Sequence, residues 1–457
     1  MPDTEVFEKR KDELPNLKKM IDNGIYGTLK SCHPPITVPA WRVMMSSKSP
    51  GELGIYGFRH RKGFSYNEGW FTTSLAVKDP MIWDIMEKHD KKSCLIGVPP
   101  SYPPFSVNGN LVSCFITPKD KTSGYTFPPE LSDEINSVLD GKYLFDAKFR
   151  ILDRDTILKD LLEMTEKRFE VLKHMVVTKP WDFFMFVEIG VDRLHHMFWK
   201  YYDKNHPRYE PNSKYQNTIP DYYKLIDKKI GELLELIDDD TYVITVSDHG
   251  ITSMNGAFCI NEWLIKEGYL VLKNYPKDIT DVNHCDVDWE KTTAWGWGGY
   301  YARIFFNVKN REENGIISQE EFEDKKNELK KKILSITGPS GEKFENKVMY
   351  PEDLYDKANG SKPDMLVYFD NLHWRSAGTI GHNALYLSEN DTGPDDAVHW
   401  WDGMFLIYNK NKSANGKRLE GLSIYDVSPI ILNAMSIDVP TNMAGKVPNE
   451  ISSWLND

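Results

Sequence analysis

Two neighbouring residues, Asp248 and His249, follow an apolar run and could bind metal. The run Tyr242–Val246 is β-branched and aromatic, which predicts a buried strand that delivers both side chains into a loop at its carboxyl end. Open α/β sheets usually have their ligand-binding and catalytic residues at that edge. Adjacent residues leave an extended backbone on opposite sides, so each side chain can reach a different ion of a two-metal site. A turn with a capping aspartate and an incidental histidine is the alternative.

A second Asp/His pair, Asp192 and His196, follows another apolar segment, Trp181–Gly190. Residues four apart share one face of a helix, so the two side chains can converge on one ion if the chain turns helical after the strand. A weak surface ion pair is the alternative. The position favours metal binding, because an Asp/His pair at the carboxyl end of a second strand repeats the pattern of the first.

Thr37 is a candidate nucleophile because of the prolines around it. The prolines of His33–Trp41 exclude a helix up to Pro39 and favour one that begins there. Thr37 is therefore expected at a helix amino terminus, where the helix dipole stabilises both an alkoxide and an incoming phosphoryl group. A threonine that only caps the helix is the alternative.

Basic and imidazole groups elsewhere are further candidates. Arg59 and Arg61 belong to the densest positive cluster of the first hundred residues, which could hold phosphate oxygens or form a solvated face. His382 and His399 lie in the long loop that separates the apolar segments Pro363–Asp370 and Met404–Tyr408.

Amphipathic helices alternate with apolar strands along much of the chain. Asn217–Asp239 is a predicted helix that feeds directly into the strand before Asp248, and this rhythm predicts an α/β fold around a mostly parallel sheet. Residues 274–362 differ, with acidic and aromatic clusters and a charged helix, and we predict an inserted smaller lobe near the active face. The core then comprises residues 1–273 and 363–457, with Pro363–Asp370 as a further core strand.

Composition and charge limit the partners. The chain has 457 residues, a net charge of −12 and a pI near 5.6, without a block of Lys or Arg, so nucleic acid and anionic membranes are disfavoured. There is no signal peptide and no apolar run of about 18 residues, so we expect neither export nor a membrane span. The five cysteines form no CxxC pair, which predicts free, buried thiols and a cytoplasmic protein.

These motifs, taken in order, resemble the alkaline phosphatase superfamily. They are Ile36–Pro39, Asp192 with His196, Asp248–Gly250, and a histidine shortly before a closing apolar strand. Their order is similar to that of the type I phosphodiesterase/nucleotide pyrophosphatase family, and the match covers most of the chain. The resemblance implies a three-layer αβα sandwich that holds two divalent ions, usually zinc, with manganese or magnesium as alternatives.

The resemblance also implies a ligand set for each ion. One ion would be held by Asp192, His196 and His399, and the other by Asp248, His249 and the Thr37 alkoxide. His382 competes with His399 for the first ion. We prefer His399 because it directly precedes a strand, and His382 then belongs to a substrate loop.

The implied activity is hydrolysis of a small-molecule phosphate ester, of the phosphodiesterase or nucleotide pyrophosphatase type. Thr37 would form a phospho-threonine that water later hydrolyses. A phosphomonoesterase or phosphomutase of the same superfamily is the alternative. A sulfatase is disfavoured, because the Cys/Ser-x-Pro-x-Arg signature is absent around Thr37.

The sequence departs from the family at two points. The second ion of the family takes a further aspartate at the end of an amino-terminal central strand, and no such strand precedes the motifs here, where Asp3 is a poor substitute. Either translation starts further upstream, or the protein is a catalytically impaired member. The substrate-binding asparagine of nucleotide pyrophosphatases is also not evident, and Arg59 and Arg61 occupy the comparable neighbourhood.

Overall fold

A computed structural model describes residues 4–456, so Asp3 lies outside the described residues. The α-helices of this range are α1 (Pro15–Asn23), α2 (Thr37–Ser46), α3 (Pro50–Leu53), α4 (Ile82–Glu87), α5 (Leu131–Val138), α6 (Arg154–Thr178), α7 (Gly190–Tyr202), α8 (Thr218–Leu234), α9 (Ile260–Lys266), α10 (Gln319–Leu334), α11 (Pro351–Leu354), α12 (Val427–Ala434) and α13 (Asn449–Asn456). The strands are β1 (Ile25–Lys30), β2 (Arg59–Arg61), β3 (Gly69–Phe71), β4 (Ser93–Ile96), β5 (Gly109–Val112), β6 (Thr126–Phe127), β7 (Phe183–Phe186), β8 (Val243–Val246), β9 (Gly250–Ser253), β10 (Gly256–Cys259), β11 (Leu272–Asn274), β12 (Thr280–Asp281), β13 (Asp286–Val287), β14 (Ala294–Trp297), β15 (Ala302–Phe306), β16 (Lys347–Met349), β17 (Met365–Tyr368), β18 (Trp374–Ala377), β19 (Thr379–Ile380), β20 (Tyr386–Leu387), β21 (Ala397–Trp400), β22 (Asp402–Tyr408) and β23 (Lys417–Ser423).

Two four-stranded sheets form the core. Their strand orders are β6-β5-β4-β7 and β23-β1-β22-β8. In the first sheet β4 runs parallel to β5 and β7, and only β6 is reversed. In the second sheet β1 and β23 are parallel, and β8 shares their direction because both β1 and β8 are antiparallel to β22. In each sheet, therefore, three of the four strands run in one direction, as the βα rhythm predicts.

Helices cover both faces of these sheets. Along β7, Phe184 and Phe186 pack against the cluster that contains α6 and α8, whereas Phe183 and Met185 pack against the cluster that contains α2 and α12. This alternation is the period of two of a strand that is covered on both sides. The result is a layered helix–sheet–helix arrangement. No helix among residues 4–456 combines the length and the apolar character needed to cross a membrane.

The edges of β7 and β8 that face each other carry no partner strand within residues 4–456. All four residues of β7 and all four of β8 are partly exposed, whereas β4, which has a partner on each side, is buried throughout. The space between the two strands is a cavity of about 550 Å³.

The smaller lobe is larger than the predicted range 274–362. Its sheet has the order β14-β15-β17-β16, so the segment Pro363–Asp370, predicted as a core strand, supplies β17 to the lobe instead. The buried cluster of the lobe extends from Phe258 to Ile380 and also includes Tyr66. Sequence periodicity did not separate these possibilities, because a short apolar strand has the same pattern in either sheet. The charged helix α10 matches its prediction, including the capping box of Ser318 and Glu321.

Candidate metal centre

Asp192 and His196 lie on α7, directly after β7. The helix begins at Gly190, so Asp192 is in its first turn and His196 follows one turn later. Asp192 Oδ1 and His196 Nε2 are 3.5 Å apart. The predicted helical spacing therefore brings both side chains to the same point at the carboxyl edge of the sheet.

His399 completes a cluster of three potential ligands with Asp192 and His196. It lies on β21, which pairs antiparallel with β9 immediately after Asp248 and His249. His399 Nε2 is 3.4 Å from His196 Nε2 and 3.8 Å from Asp192 Oδ1. A tetrahedral ion with bonds of about 2.0–2.2 Å separates its ligands by roughly 3.3–3.6 Å. Two of the three separations, 3.4 and 3.5 Å, fall in this range, and the third, 3.8 Å, is slightly wider. We call these residues the first cluster.

Hydrogen bonds at the far side of each ring hold the two histidines of the first cluster. His196 Nδ1 lies 2.7 Å from Asp395 Oδ1, and His399 Nδ1 lies 2.9 Å from the carbonyl oxygen of Pro35. Each acceptor favours the tautomer with the proton on Nδ1, so both Nε2 lone pairs point toward the same place. Asp395 in turn accepts hydrogen bonds from Arg150 and Arg375.

Burial and neighbouring charges have opposite effects on the pKa values of His196 and Asp192. Burial disfavours a charged His196 ring, but Asp395, Tyr300 and Asp192 outweigh burial and hold its pKa well above the usual value. Burial disfavours the Asp192 carboxylate too, yet His196 and other cations keep its pKa well below the usual value. Burial and the neighbouring His249 lower the pKa of His399. The raised pKa of His196 favours its protonated form when no ion is bound, and an ion bound among these atoms would displace that proton.

Asp248 and His249, which we call the second pair, lie beside the first cluster. Asp248 Oδ2 and His249 Nε2 are 3.3 Å apart, and His249 Nδ1 donates to the carbonyl oxygen of Gly250 at 2.9 Å. The rings of His249 and His399 stack with their centroids 3.5 Å apart. Asp248 Oδ2 and Asp192 Oδ1 are buried and accept no hydrogen bond from the described residues. Such buried carboxylate oxygens are suited to cations.

Thr37 is the first residue of α2 and is 6% exposed. It lines the same cavity as Asp192, Asp248 and His249. The helix therefore begins two residues before the proline that predicted it, and the Thr37 hydroxyl lies at the positive end of the dipole. The structure thus gathers Thr37, the first cluster and the second pair at one rim of the core.

Three predicted substrate-binding residues lie elsewhere. Arg61 is buried in the smaller lobe, where Nη1 bonds Glu312 at 3.1 Å and the guanidinium lies over Trp295. Arg59 is exposed on the short strand β2. Neither lines the cavity beside Thr37. The charge of Arg61 is already paired with Glu312 within the lobe, so this geometry does not favour the phosphate-binding role predicted for it.

His382 is likewise separate from the first cluster. Its Nε2 lies 2.7 Å from Thr379 Oγ1, and its backbone N–H donates to Glu262 at 2.9 Å. His399, and not His382, has its Nε2 beside Asp192 and His196. The preference for the histidine that directly precedes a strand agrees with this geometry.

Sequence reasoning missed two residues that contact the first cluster. Tyr300, from the turn between β14 and β15, stacks on His399 with centroids 3.7 Å apart, and its hydroxyl lies 3.1 Å from His196 Nε2. Asp395 orients His196, as described above. The only sequence signal for Asp395 is an acidic residue four positions before His399, and Tyr300 stands in a Trp/Gly-rich segment without a motif.

Comparison with known proteins identifies the fold. Human ectonucleotide pyrophosphatase/phosphodiesterase 5 is similar, with a TM-score of 0.53 and 12% identity over 97% of this chain and 95% of that chain. Phosphonoacetate hydrolase from Sinorhizobium meliloti, in complex with phosphonoformate, has a TM-score of 0.57 and 12% identity over 98% and 91%. An inactive variant of the murine phosphodiesterase 5, in complex with AMP, has a TM-score of 0.53 and 12% identity over 96% and 94%.

These likenesses confirm the predicted alkaline-phosphatase-like α/β fold. A search of curated protein sequences found no match. The profile of the family described as type I phosphodiesterase/nucleotide pyrophosphatase matches residues 3–395, which is most of the chain. The chain therefore belongs to the type I phosphodiesterase/nucleotide pyrophosphatase family, whose members are phosphoric ester hydrolases.

Proposed function

We propose that this protein hydrolyses small-molecule phosphate esters of the phosphodiester or pyrophosphate type with Thr37 as nucleophile and two divalent ions, zinc in the first instance. The observation that carries the proposal is the spacing of the first cluster, whose three ligand atoms lie 3.4–3.8 Å apart. Asp192, His196 and His399 would hold one ion, and Asp248 and His249 would hold the other beside Thr37. Bound there, the ions would lower the pKa of the attacking hydroxyl and offset charge on the phosphoryl oxygens.

Residues of the chain itself carry out the bond formation and hold the ligands in position. Thr37 Oγ1 forms the bond to phosphorus as the bond to the leaving oxygen breaks, and the helix dipole of α2 stabilises the charge that develops there. Asp395 and the carbonyl of Pro35 keep the two histidines of the first cluster in position through both half-reactions. Tyr300 places a hydroxyl beside His196 and closes the site from the smaller lobe.

Two observations on other proteins support this assignment. The murine phosphodiesterase 5 bound to AMP is an inactive threonine-to-alanine variant, and the bacterial neighbour acts on a phosphonate. Both ligands present phosphorus-centred oxyanions. A cytoplasmic location remains our proposal, and it is supported by five free cysteines, of which four are buried.

The test compares hydrolysis of bis-p-nitrophenyl phosphate and p-nitrophenyl phosphate by the zinc-loaded protein and by Thr37→Ala. We expect the diester to be preferred, and we expect Thr37→Ala to abolish turnover while it retains nearly all of its zinc. Thr218→Ala is the matched control, because Thr218 is also a buried first residue of a helix but lies outside the cavity. Retention of most of the rate by Thr37→Ala would refute the nucleophile, and preference for the monoester would favour the phosphomonoesterase alternative.

A further inference from the structure

The hydroxyl of Tyr300 lies at the edge of the first cluster, on the side of the smaller lobe. Its oxygen is 3.1 Å from His196 Nε2, and the ring stacks on His399 with the centroids 3.7 Å apart. Tyr300 is partly exposed, so a bound molecule can reach its side chain. The hydroxyl is therefore placed where a molecule bound at the first cluster would meet it.

Two neighbours fix the ring of Tyr300. One is His399, and the other is the guanidinium of Arg375, whose central carbon lies 4.1 Å from the ring centroid. A ring face accommodates only one such neighbour at these distances, so the phenol is held between an imidazole and a guanidinium. Asp395 accepts a hydrogen bond from Arg375 Nη1 at 2.7 Å and so holds the guanidinium in place.

Backbone pairing fixes the turn that carries Tyr300. The N–H of Gly299 donates to the carbonyl oxygen of Ser376 at 2.8 Å, and the N–H of Ser376 donates to the carbonyl oxygen of Gly299 at 3.0 Å. The φ of Gly299 is +144°, a value that only glycine adopts without strain. The position of the hydroxyl is therefore set by the backbone as well as by the contacts of the ring.

The hydrogen bonds of the Tyr300 oxygen determine where its own proton can point. Arg150 Nη2 lies 3.3 Å away and can only donate, so it uses a lone pair of the phenol oxygen. The other hydrogen-bond partner of this oxygen within residues 4–456 is His196 Nε2. That nitrogen would be taken by an ion at the first cluster, and the phenol would then have no acceptor among these residues. Its O–H would be free to donate to a bound molecule.

The position of Thr37 indicates which oxygen of a phosphate ester would accept this hydrogen bond. Thr37 attacks from the side of the second pair in the proposed reaction. In an in-line displacement the attacking and leaving oxygens lie on opposite sides of phosphorus. The leaving oxygen is therefore expected beside the first cluster, where Tyr300 lies.

We propose that Tyr300 is a catalytic residue that donates a hydrogen bond to the leaving oxygen of the substrate. The proton of Thr37 passes to solvent before the attack. As Thr37 Oγ1 bonds to phosphorus, the electron pair of the breaking P–O bond passes to the leaving oxygen, where the phenol stabilises the developing charge. Tyr300 keeps its own proton, and the released group takes one from solvent. This inference rests on the proposed function and adds to it a capacity for esters with poor leaving groups.

The first test measures the binding of inorganic phosphate, which presents an oxygen at each position around phosphorus. Tyr300→Phe removes the hydroxyl and keeps the ring. Tyr301→Phe is the matched control, because Tyr301 is the next residue and its buried hydroxyl donates to the carbonyl oxygen of Tyr56, away from the first cluster. By calorimetry on the zinc-loaded proteins we expect at least about tenfold weaker phosphate binding by Tyr300→Phe and a change within about twofold for Tyr301→Phe. The zinc affinity should stay within about twofold in both variants, since the hydroxyl is not one of the three ligands.

The second test compares two diesters, p-nitrophenyl methyl phosphate and phenyl methyl phosphate. The p-nitrophenolate ion delocalises its charge, whereas the phenolate oxygen keeps more of it and depends more on a hydrogen-bond donor. We expect Tyr300→Phe to lose at least about a hundredfold in kcat/KM with the phenyl ester and less than about tenfold with the p-nitrophenyl ester. Tyr301→Phe should retain the rate with both.

Three outcomes count against this role of Tyr300. Equal losses of kcat/KM with the two esters would place the hydrogen bond on a non-bridging oxygen. Phosphate binding by Tyr300→Phe within about twofold of that by the unchanged protein would show that the hydroxyl does not touch the phosphoryl group. A tenfold loss of zinc affinity in Tyr300→Phe would make the phenol a support of the metal and not a substrate contact.

The two measurements also separate this inference from the proposed function. If the unchanged zinc-loaded protein hydrolyses neither ester, the proposed function fails, and phosphate binding alone decides the contact: weaker binding by Tyr300→Phe supports it, and equal binding or none by the unchanged protein refutes it. If Tyr300→Phe does not fold, crystals of the unchanged zinc-loaded protein with orthovanadate decide. A vanadate oxygen within about 2.5–3.0 Å of the Tyr300 hydroxyl supports the contact, and a bound vanadate without one refutes it.

Discussion

The first cluster and the second pair are neighbours, yet their surroundings differ. The first cluster has three ligand side chains, and its two histidines are each fixed by a hydrogen bond from Nδ1, to Asp395 or to Pro35. The second pair supplies two side chains, and its histidine is held, within residues 4–456, only by a hydrogen bond to the carbonyl oxygen of the adjacent Gly250. The comparison teaches that the two groups differ in the number of ligand side chains and in the hydrogen bonds that orient them. We therefore expect the first cluster to bind metal more tightly.

The strongest way to break this comparison is to remove a ligand of the first cluster. For His196→Ala we expect loss of the tightly bound ion and a fall in kcat/KM of at least about a thousandfold, or roughly 4 kcal/mol of transition-state stabilisation. Metal content by atomic emission and diester hydrolysis measure the two effects. His382→Ala is the control and should retain the rate within about twofold, since His382 lies outside the cluster. A variant at position 196 with more than a tenth of the original rate would contradict the assignment.

The next effect concerns the support of the first cluster. Asp395→Asn removes the carboxylate that orients His196, and we expect the zinc affinity to fall by about 10–100-fold. Asp396→Asn is the matched control, because Asp396 is equally buried but its carboxylate does not contact His196. Competition with a chromophoric chelator measures the zinc affinity of both variants. An equal loss of zinc affinity in the two variants would mean that the negative charge of a nearby carboxylate, and not the orientation of His196, determines the affinity.

A smaller effect should distinguish the first cluster from the second pair in the unchanged protein. We expect two zinc-binding steps, the first at least about tenfold tighter than the second, which corresponds to about 1.4 kcal/mol. Asp248→Asn should remove only the weaker step, whereas Asp192→Asn should remove the tighter one. Calorimetric titration of metal-free protein checks the order. Loss of the tighter step in Asp248→Asn would reverse the comparison.

The smallest expected effect is the release of a proton when zinc binds. Because the pKa of His196 is raised well above its usual value, the metal-free ring is protonated at neutral pH and must lose that proton to bind an ion. Zinc binding to the first cluster should therefore release about one proton at pH 7, and the affinity should rise with pH below that pKa. Calorimetry in buffers of different ionisation enthalpy counts the proton. Asp395→Asn lowers the pKa of His196 and should reduce the release.

Local pattern was sufficient to predict several parts of the site. Asp192 and His196 were found because a helical repeat relates them, and Asp248 and His249 because they end an apolar strand. His399 was preferred for its place before a strand. In each case the relevant geometry lies within a few residues of sequence.

Contacts between distant segments could not be predicted in this way. The partner of Arg61 is Glu312, 251 residues away, and nothing near Arg61 signals that its charge is already paired. Tyr300 reaches His196 only because the smaller lobe folds back over the core. The strand β17 was placed in the wrong sheet because pairing depends on partners elsewhere in the chain.

The most direct test of the metal centre is anomalous X-ray scattering at the zinc edge from crystals of the zinc-loaded protein. We predict a peak equidistant from Asp192 Oδ1, His196 Nε2 and His399 Nε2, at about 2.0–2.2 Å from each. A zinc peak elsewhere with none among these three atoms would contradict the account.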